Sequence, residues 1–217
     1  SIGLASTVAV GSDGAVYLAQ RKGPPVLVFD PSGEFRSAWP ASLAADPHVI
    51  NVCRGSTDTV ALVDRDAHQV LLCTPEGEVK TTLGQRHRPR FQAPFNHPTS
   101  AFMTADGEVY VADGYGNRRV VVCDSDTGTY KRHWGAYGET PHDEPLPIYD
   151  PEVEPIRQYR SPVHDVTIST DGIVYVADRT NNRLQLFQKD GPFVREAFIR
   201  PETLGSGSVS GVTLSED

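Results

Sequence analysis

The chain has 217 residues and a mass of 23.6 kDa, with 38% hydrophobic residues and a formal net charge of −8. That length allows one domain with a large core, and the modest apolar content suits alternating strands that give half their side chains to water. The negative charge excludes a basic phosphate-binding face, so nucleic acid is not an expected partner. Nor is a membrane, because no run approaches the roughly 18 apolar residues of a span.

In chain order, residues 7–14 (TVAVGSDG) form an apolar stretch and turn that lead into two strands over 16–29 (VYLAQRKGPPVLVF). The same order returns at 49–56 (VINVCRGS) with 60–73 (VALVDRDAHQVLLC), and at 101–108 (AFMTADGE) with 109–122 (VYVADGYGNRRVVV). A near-copy of the last follows at 166–173 (VTISTDGI) with 174–187 (VYVADRTNNRLQLF). Each unit reads as a four-stranded antiparallel meander of roughly 40 residues, the size of one propeller blade. The predicted fold is an all-β propeller: a single domain over 1–217 with blades at about 5–40, 47–84, 97–135 and 161–199. The stretch SVSGVTLSED opens a fifth blade over 207–217, and the chain is read as an incomplete propeller.

Cys73 and Cys123 occupy the same repeat position and are expected to be small buried apolar residues, while Cys53 ends a first strand. Three cysteines without a pairing pattern give no disulfide framework. No segment resembles a signal peptide, but the chain starts at Ser1 rather than Met, so the expectation stops at a soluble protein of unknown compartment.

Two insertions interrupt the repeats: a short basic one at 85–96 and a proline-rich acidic one at 136–160. In such a meander the first strand starts, and the second ends, at one face, here called the top. Both insertions converge there with the residues that precede each blade's first apolar run: Ser6, His48, Thr99, His164 and Ser210. Loops gathered over one face are commonly lids or binding loops.

Histidine at two of these marker positions, near the mouth of the central channel, makes His48 and His164 either wall residues or metal ligands. A second set follows a column formed by Gln20, Asp64, Asp113 and Asp178, whose carboxylates suit backbone N–H groups in a turn. Arg21, Arg65 and Arg179 come directly after it, and Tyr115 one place later. Asn117, Asn181, Arg119 and Arg183 read as repeat scaffold, whereas a tyrosine beside an arginine could serve as a base.

These pieces resemble NHL repeats. More specifically, DPHVINV, DRDAHQVLL, HPTSAFMTADGEVYVADGYGNRRVV, SPVHDVTI, VYVADRTNNRLQLF and FVRE, in that order, resemble the peptidyl-α-hydroxyglycine α-amidating lyase family, a six-bladed NHL propeller. The resemblance implies that His48 and His164 are two of three ligands to a catalytic zinc. It implies Tyr115 as catalytic base, Arg21 as the arginine paired with it, and Arg179 as a substrate-positioning arginine. The backbone carbonyls of Val8 and Ile50 would hold a structural calcium. The family's third histidine has no counterpart before Asp217, and Gly116 replaces a disulfide cysteine of animal members, which points to a microbial relative.

The expected function is therefore metal-dependent cleavage of the C–N bond of an α-hydroxyglycine-type carbinolamide, giving an amide and glyoxylate. The substrate would be a small molecule or peptide with a carboxylate, held by Arg179 or the basic 86–90 segment. A third metal ligand would come from absent sequence, from His97 or His68, or from another molecule. The alternatives are a non-catalytic NHL propeller that binds a protein or ligand on its top face, and a calcium-dependent, lactonase-like hydrolase.

Overall fold

The computed structural model describes residues 2–89 and 95–215. Among the described residues, sixteen strands form four sheets. The first holds β1 (Ala5–Val10), β2 (Val16–Gln20), β3 (Val26–Phe29) and β4 (Phe35–Ala38). The second holds β5 (Pro47–Cys53), β6 (Thr59–Asp64), β7 (Gln69–Cys73) and β8 (Val79–Gly84). In the third are β9 (Ser100–Met103), β10 (Glu108–Asp113), β11 (Arg119–Asp124) and β12 (Tyr130–Trp134). The fourth comprises β13 (Val163–Ile168), β14 (Val174–Asp178), β15 (Arg183–Phe187) and β16 (Phe193–Phe198). Strand order in every sheet is chain order, and every neighbouring pair is antiparallel, as a blade requires.

Period-2 alternation explains how the blades stack. On β10 and β11, Val109, Val111, Val121 and Cys123 pack against Ala61, Val63, Val70 and Leu72 of the second blade. Tyr110, Ala112, Val120 and Val122 point the other way, into a cluster with Val166, Val174 and Val176 of the fourth. A third cluster joins Tyr17, Val28 and Trp39 of the first blade to Ile50 and Leu62 of the second. Inner blades thus bury both faces of their middle strands, which is why VYVA and VVVC are continuously apolar. The expectation that half of each strand meets water is corrected here: polar exposure sits mainly on the outer strands, with all four residues of β4 exposed.

The turn column works as a staple between each blade and the chain entering it. Asp64 accepts the N–H groups of Ala45 and Asp46, Asp113 that of Asn96, and Asp178 that of Arg160. Gln20 does the same with an amide oxygen toward Gly3 N–H. Asn117 and Arg119 close on Asp113, and Asn181 and Arg183 on Asp178. Cys73 and Cys123 are buried and free, and burial pushes both thiols up to about 12. Cys53 is free and half-buried.

The segment expected to open a fifth blade forms no ladder over residues 209–215. It lies beside β13 in the channel, where Val212 N–H donates to Asp165 Oδ2 at 2.9 Å. Of the basic insertion, residues 90–94, including Arg90, lie outside the described residues. No helix among the described residues is long and apolar enough to cross a membrane.

Candidate functional site

The first strands β1, β5, β9 and β13 line the channel, and their N-terminal ends bring the marker residues together. The His48 and His164 rings lie 5.4 Å apart, centroid to centroid, and Tyr115 lies 5.4 Å from His48 and 5.9 Å from His164. All three border a cavity of about 940 Å³, together with Arg21, Val8 and Ile50.

Both imidazoles are held by backbone carbonyls, His48 by the third blade and His164 by the segment that follows the fourth. His48 Nδ1 is 2.7 Å from the Thr99 carbonyl oxygen, and His164 Nδ1 is 2.5 Å from that of Ser210. A carbonyl can only accept, so each Nδ1 carries the proton and each Nε2 keeps its lone pair. Burial pushes His48 down to about 4 and His164 down as well, so both are neutral near pH 7. A neutral ring fixed through its other nitrogen is how metal-binding histidines are oriented. The Tyr115 hydroxyl lies 3.3 Å from His164 Nε2 and donates into that lone pair.

Tyr115 reaches this position because glycine flanks it on both sides. A Cβ on Gly114 would stand 1.8 Å from the Val163 carbonyl oxygen, and one on Gly116 2.3 Å from the Asn96 side-chain amide. Only a bare backbone lets the turn lie against the residue that precedes His164.

The guanidinium over the Tyr115 ring belongs to Arg65, 5.3 Å from its centroid. Arg21 instead pairs with Asp46 at 3.2 Å, and Arg65 grips the other oxygen of the same carboxylate at 2.8 Å. Asp46 thereby clasps the turns of the first two blades and draws Arg21 to itself. Arg179 turns aside: its Nε donates to the Ser206 carbonyl, and it does not border the cavity.

His68 and His97 form a separate edge-to-face pair, centroids 4.2 Å apart, away from the cavity wall. His97 N–H donates to His68 Nδ1, which places the His68 proton on Nε2 and leaves that nitrogen no lone pair for a metal. No group of three metal-ligating side chains occurs among the described residues. In the sequence Arg65 stands only as a member of the turn set and Thr99 only as a marker position, and Asp46 and Gly114 carry no such signal. The repeat column did place Arg65 beside Arg21, which was the available signal.

A family model for the NHL repeat matches residues 163–187, the first three strands of the fourth blade. NHL repeat-containing protein 3 of Mus musculus is 31% identical over 198 residues, covering 84% of this chain and 51% of that protein. Peptidyl-alpha-hydroxyglycine alpha-amidating lyase 1 of Drosophila melanogaster is 29% identical over 182 residues, covering 79% of this chain and 31% of that protein. The chain thus spans about half the length, or less, of these curated relatives. Among solved structures, virginiamycin B lyase from Staphylococcus aureus superposes with a TM-score of 0.62 at 15% identity, over 90% of this chain and 56% of that one. With the sheet order, this likeness identifies the four sheets as blades of a β-propeller, the fourth of which carries an NHL repeat.

Proposed function

We propose that this chain carries the active face of a metal-dependent lyase that cleaves the C–N bond of an α-hydroxyglycine-type carbinolamide to an amide and glyoxylate. The observation that carries the reading is the pair of Nδ1-protonated imidazoles with Tyr115 on the Nε2 of one of them. The similarity to an insect amidating lyase adds to it.

The donor chemistry suits zinc, which His48 and His164 would hold through Nε2, with a third ligand from outside the described residues. The ion would supply Lewis acidity toward the hydroxyl or carboxylate of the substrate. Tyr115, once its own proton has passed to solvent, takes the proton of the substrate hydroxyl. The C–O bond then closes to a carbonyl as the C–N bond breaks, and the proton passes to the departing amide nitrogen. Arg65, over the ring, attracts the negative charge that develops on the phenol as its proton leaves. Arg21, facing the same cavity, is placed to receive a substrate carboxylate.

Val8 and Ile50 border the cavity and would give two of the six to eight oxygens that calcium takes. The one carboxylate there among the described residues, Asp165, already accepts from Ser100, Val166 and Val212, so these residues leave calcium short of acidic ligands. The same shortage of acidic ligands disfavours a calcium hydrolase.

The test is glyoxylate release from an α-hydroxyglycine peptide by the purified protein, with bound zinc measured in parallel. Zinc without turnover across substrates would leave the binding-module reading; neither zinc nor turnover would remove the proposal.

A further inference from the structure

The acidic insertion is a built element, not a loose spacer. After the turn at Ala136–Gly138 it runs without helix or strand, and the body of the protein pins it at several points. Arg118 donates to the Glu144 carbonyl at 2.9 Å, and Arg183 to those of Ile156 and Gln158 at 3.0 and 2.9 Å. Tyr149 Oη donates to the Pro201 carbonyl at 2.7 Å. Between this strap and the fourth blade lies a cavity of about 480 Å³, within the range of real ligand sites.

Its walls are apolar. Ile156 and Phe198 line it together with four prolines, and Ile148 and Val153 stand at its mouth, 93% and 58% exposed. Large apolar side chains held out in water on a rigid, proline-braced frame cost little further ordering when a partner covers them. Asp150 and Glu154 border the cavity and are exposed, the strap also exposes Asp143, Glu144 and Glu152, and Glu139 is neutralised by Arg157 at 2.6 Å. The cation on the floor, Arg160, is turned into the strap, donating to Asn181 Oδ1 at 2.8 Å and to the Pro147 carbonyl.

We infer that this cleft docks a basic peptide segment whose bulky apolar side chains enter the cavity while its lysines or arginines meet the acidic rim. An apolar slot would take a neutral partner equally well, but the Asp150 and Glu154 carboxylates at its edge, on a strap with three further exposed carboxylates, repel anions and select cations. The inference is independent of the lyase reading, because none of these residues touches the channel histidines.

The test uses fluorescein-labelled ten-residue peptides and fluorescence anisotropy on the purified protein. One is built from Lys, Arg, Leu and Phe, a second has Ala for Leu and Phe, and a third has Glu for Lys and Arg. The first should bind at least tenfold tighter than either other, with affinity falling as salt rises. Ile148→Ser with Val153→Ser, and separately Asp150→Lys with Glu154→Lys, should each weaken it at least tenfold; these positions are exposed, and unchanged circular dichroism would confirm folding. Equal binding of the first two peptides would reduce the effect to net charge and overturn the proposal. Absence of binding, or indifference to both double variants, would overturn it too. So would a dimer in sedimentation that dissolves in Ile148→Ser, which would assign the cleft to a second copy of the chain.

Discussion

His48 Nδ1 lies 2.7 Å from the Thr99 carbonyl oxygen, while the Thr99 hydroxyl lies 2.6 Å from the carbonyl of Val163, the residue before His164. One fully buried threonine therefore touches the supports of both channel histidines, from the blade between them. His164 repeats the pattern toward Ser210. His48, Thr99 and His164 thus each donate, around the channel mouth, to the backbone of the segment that follows in chain order.

Thr99→Val keeps the carbonyl that orients His48 and removes the hydroxyl that holds Val163. Zinc affinity should fall about 10–100-fold, the usual range for such supporting groups. Thr99→Ser, which restores the hydroxyl, should recover it. Chelator competition measures both; equal affinity in the valine variant would show that Thr99 packs without positioning.

Gly114→Ala puts a methyl group 1.8 Å from the Val163 oxygen, and backbone cannot yield as a side-chain tip would. Overpacking of this kind costs about 1–3 kcal/mol or more. A drop in Tm of at least about 3 °C is expected, since each 1 kcal/mol shifts a domain of this size by roughly 2–4 °C. Differential scanning calorimetry decides it.

The seam between the third and fourth blades should be acid-sensitive. Arg132 binds Glu108 through both guanidinium nitrogens at 2.7 and 2.6 Å and reaches the Lys189 carbonyl at 2.8 Å. Hydrogen bonds from Arg132, against some opposing desolvation, hold the Glu108 carboxyl down at about 2, from 4.5 in an unfolded chain. The folded state thus binds fewer protons, so this stabilisation is complete above pH 4.5 and is lost as pH falls toward 2. Comparing urea unfolding of the wild type and Glu108→Gln, the gap should be on the order of 3 kcal/mol near neutrality and shrink across that window. A gap independent of pH would show that the carboxylate's charge is not what matters.

The blades could be read from sequence because alternation and the Gln20, Asp64, Asp113, Asp178 column are local and recur. His48 and His164 come to one place because equivalent positions in equivalent blades converge at a channel, and Tyr115 joins them from the β10–β11 turn, whose glycines let it lie against Val163. What the repeat does not encode stayed hidden. Asp46 lies between two repeats, and its choice of Arg21 and Arg65 is a contact between blades. His68 and His97 were candidate ligands by residue type, but both adopt left-handed backbone, φ 58° and 55°, which pairs them with each other. The course of the strap at 136–160 follows from its contacts with Arg183, buried in the fourth blade, and half-buried Arg118, not from any period of its own.

The lone pair on His164 Nε2 accepts the Tyr115 hydroxyl at 3.3 Å. A zinc ion at the same nitrogen would displace that hydrogen bond and free the phenol oxygen for a substrate hydroxyl. Tyr115→Phe should therefore bind zinc at least as tightly as the wild type, because the competing donor is gone. It should keep its fold, since the hydroxyl faces the cavity rather than the core. Turnover of an α-hydroxyglycine peptide should nevertheless fall about 10²–10⁴-fold, the range expected for loss of a general base. His164→Ala should lose both zinc and activity. Tighter zinc with lost turnover would separate the proton-transfer role of Tyr115 from metal binding; full turnover in Tyr115→Phe would remove it as the base.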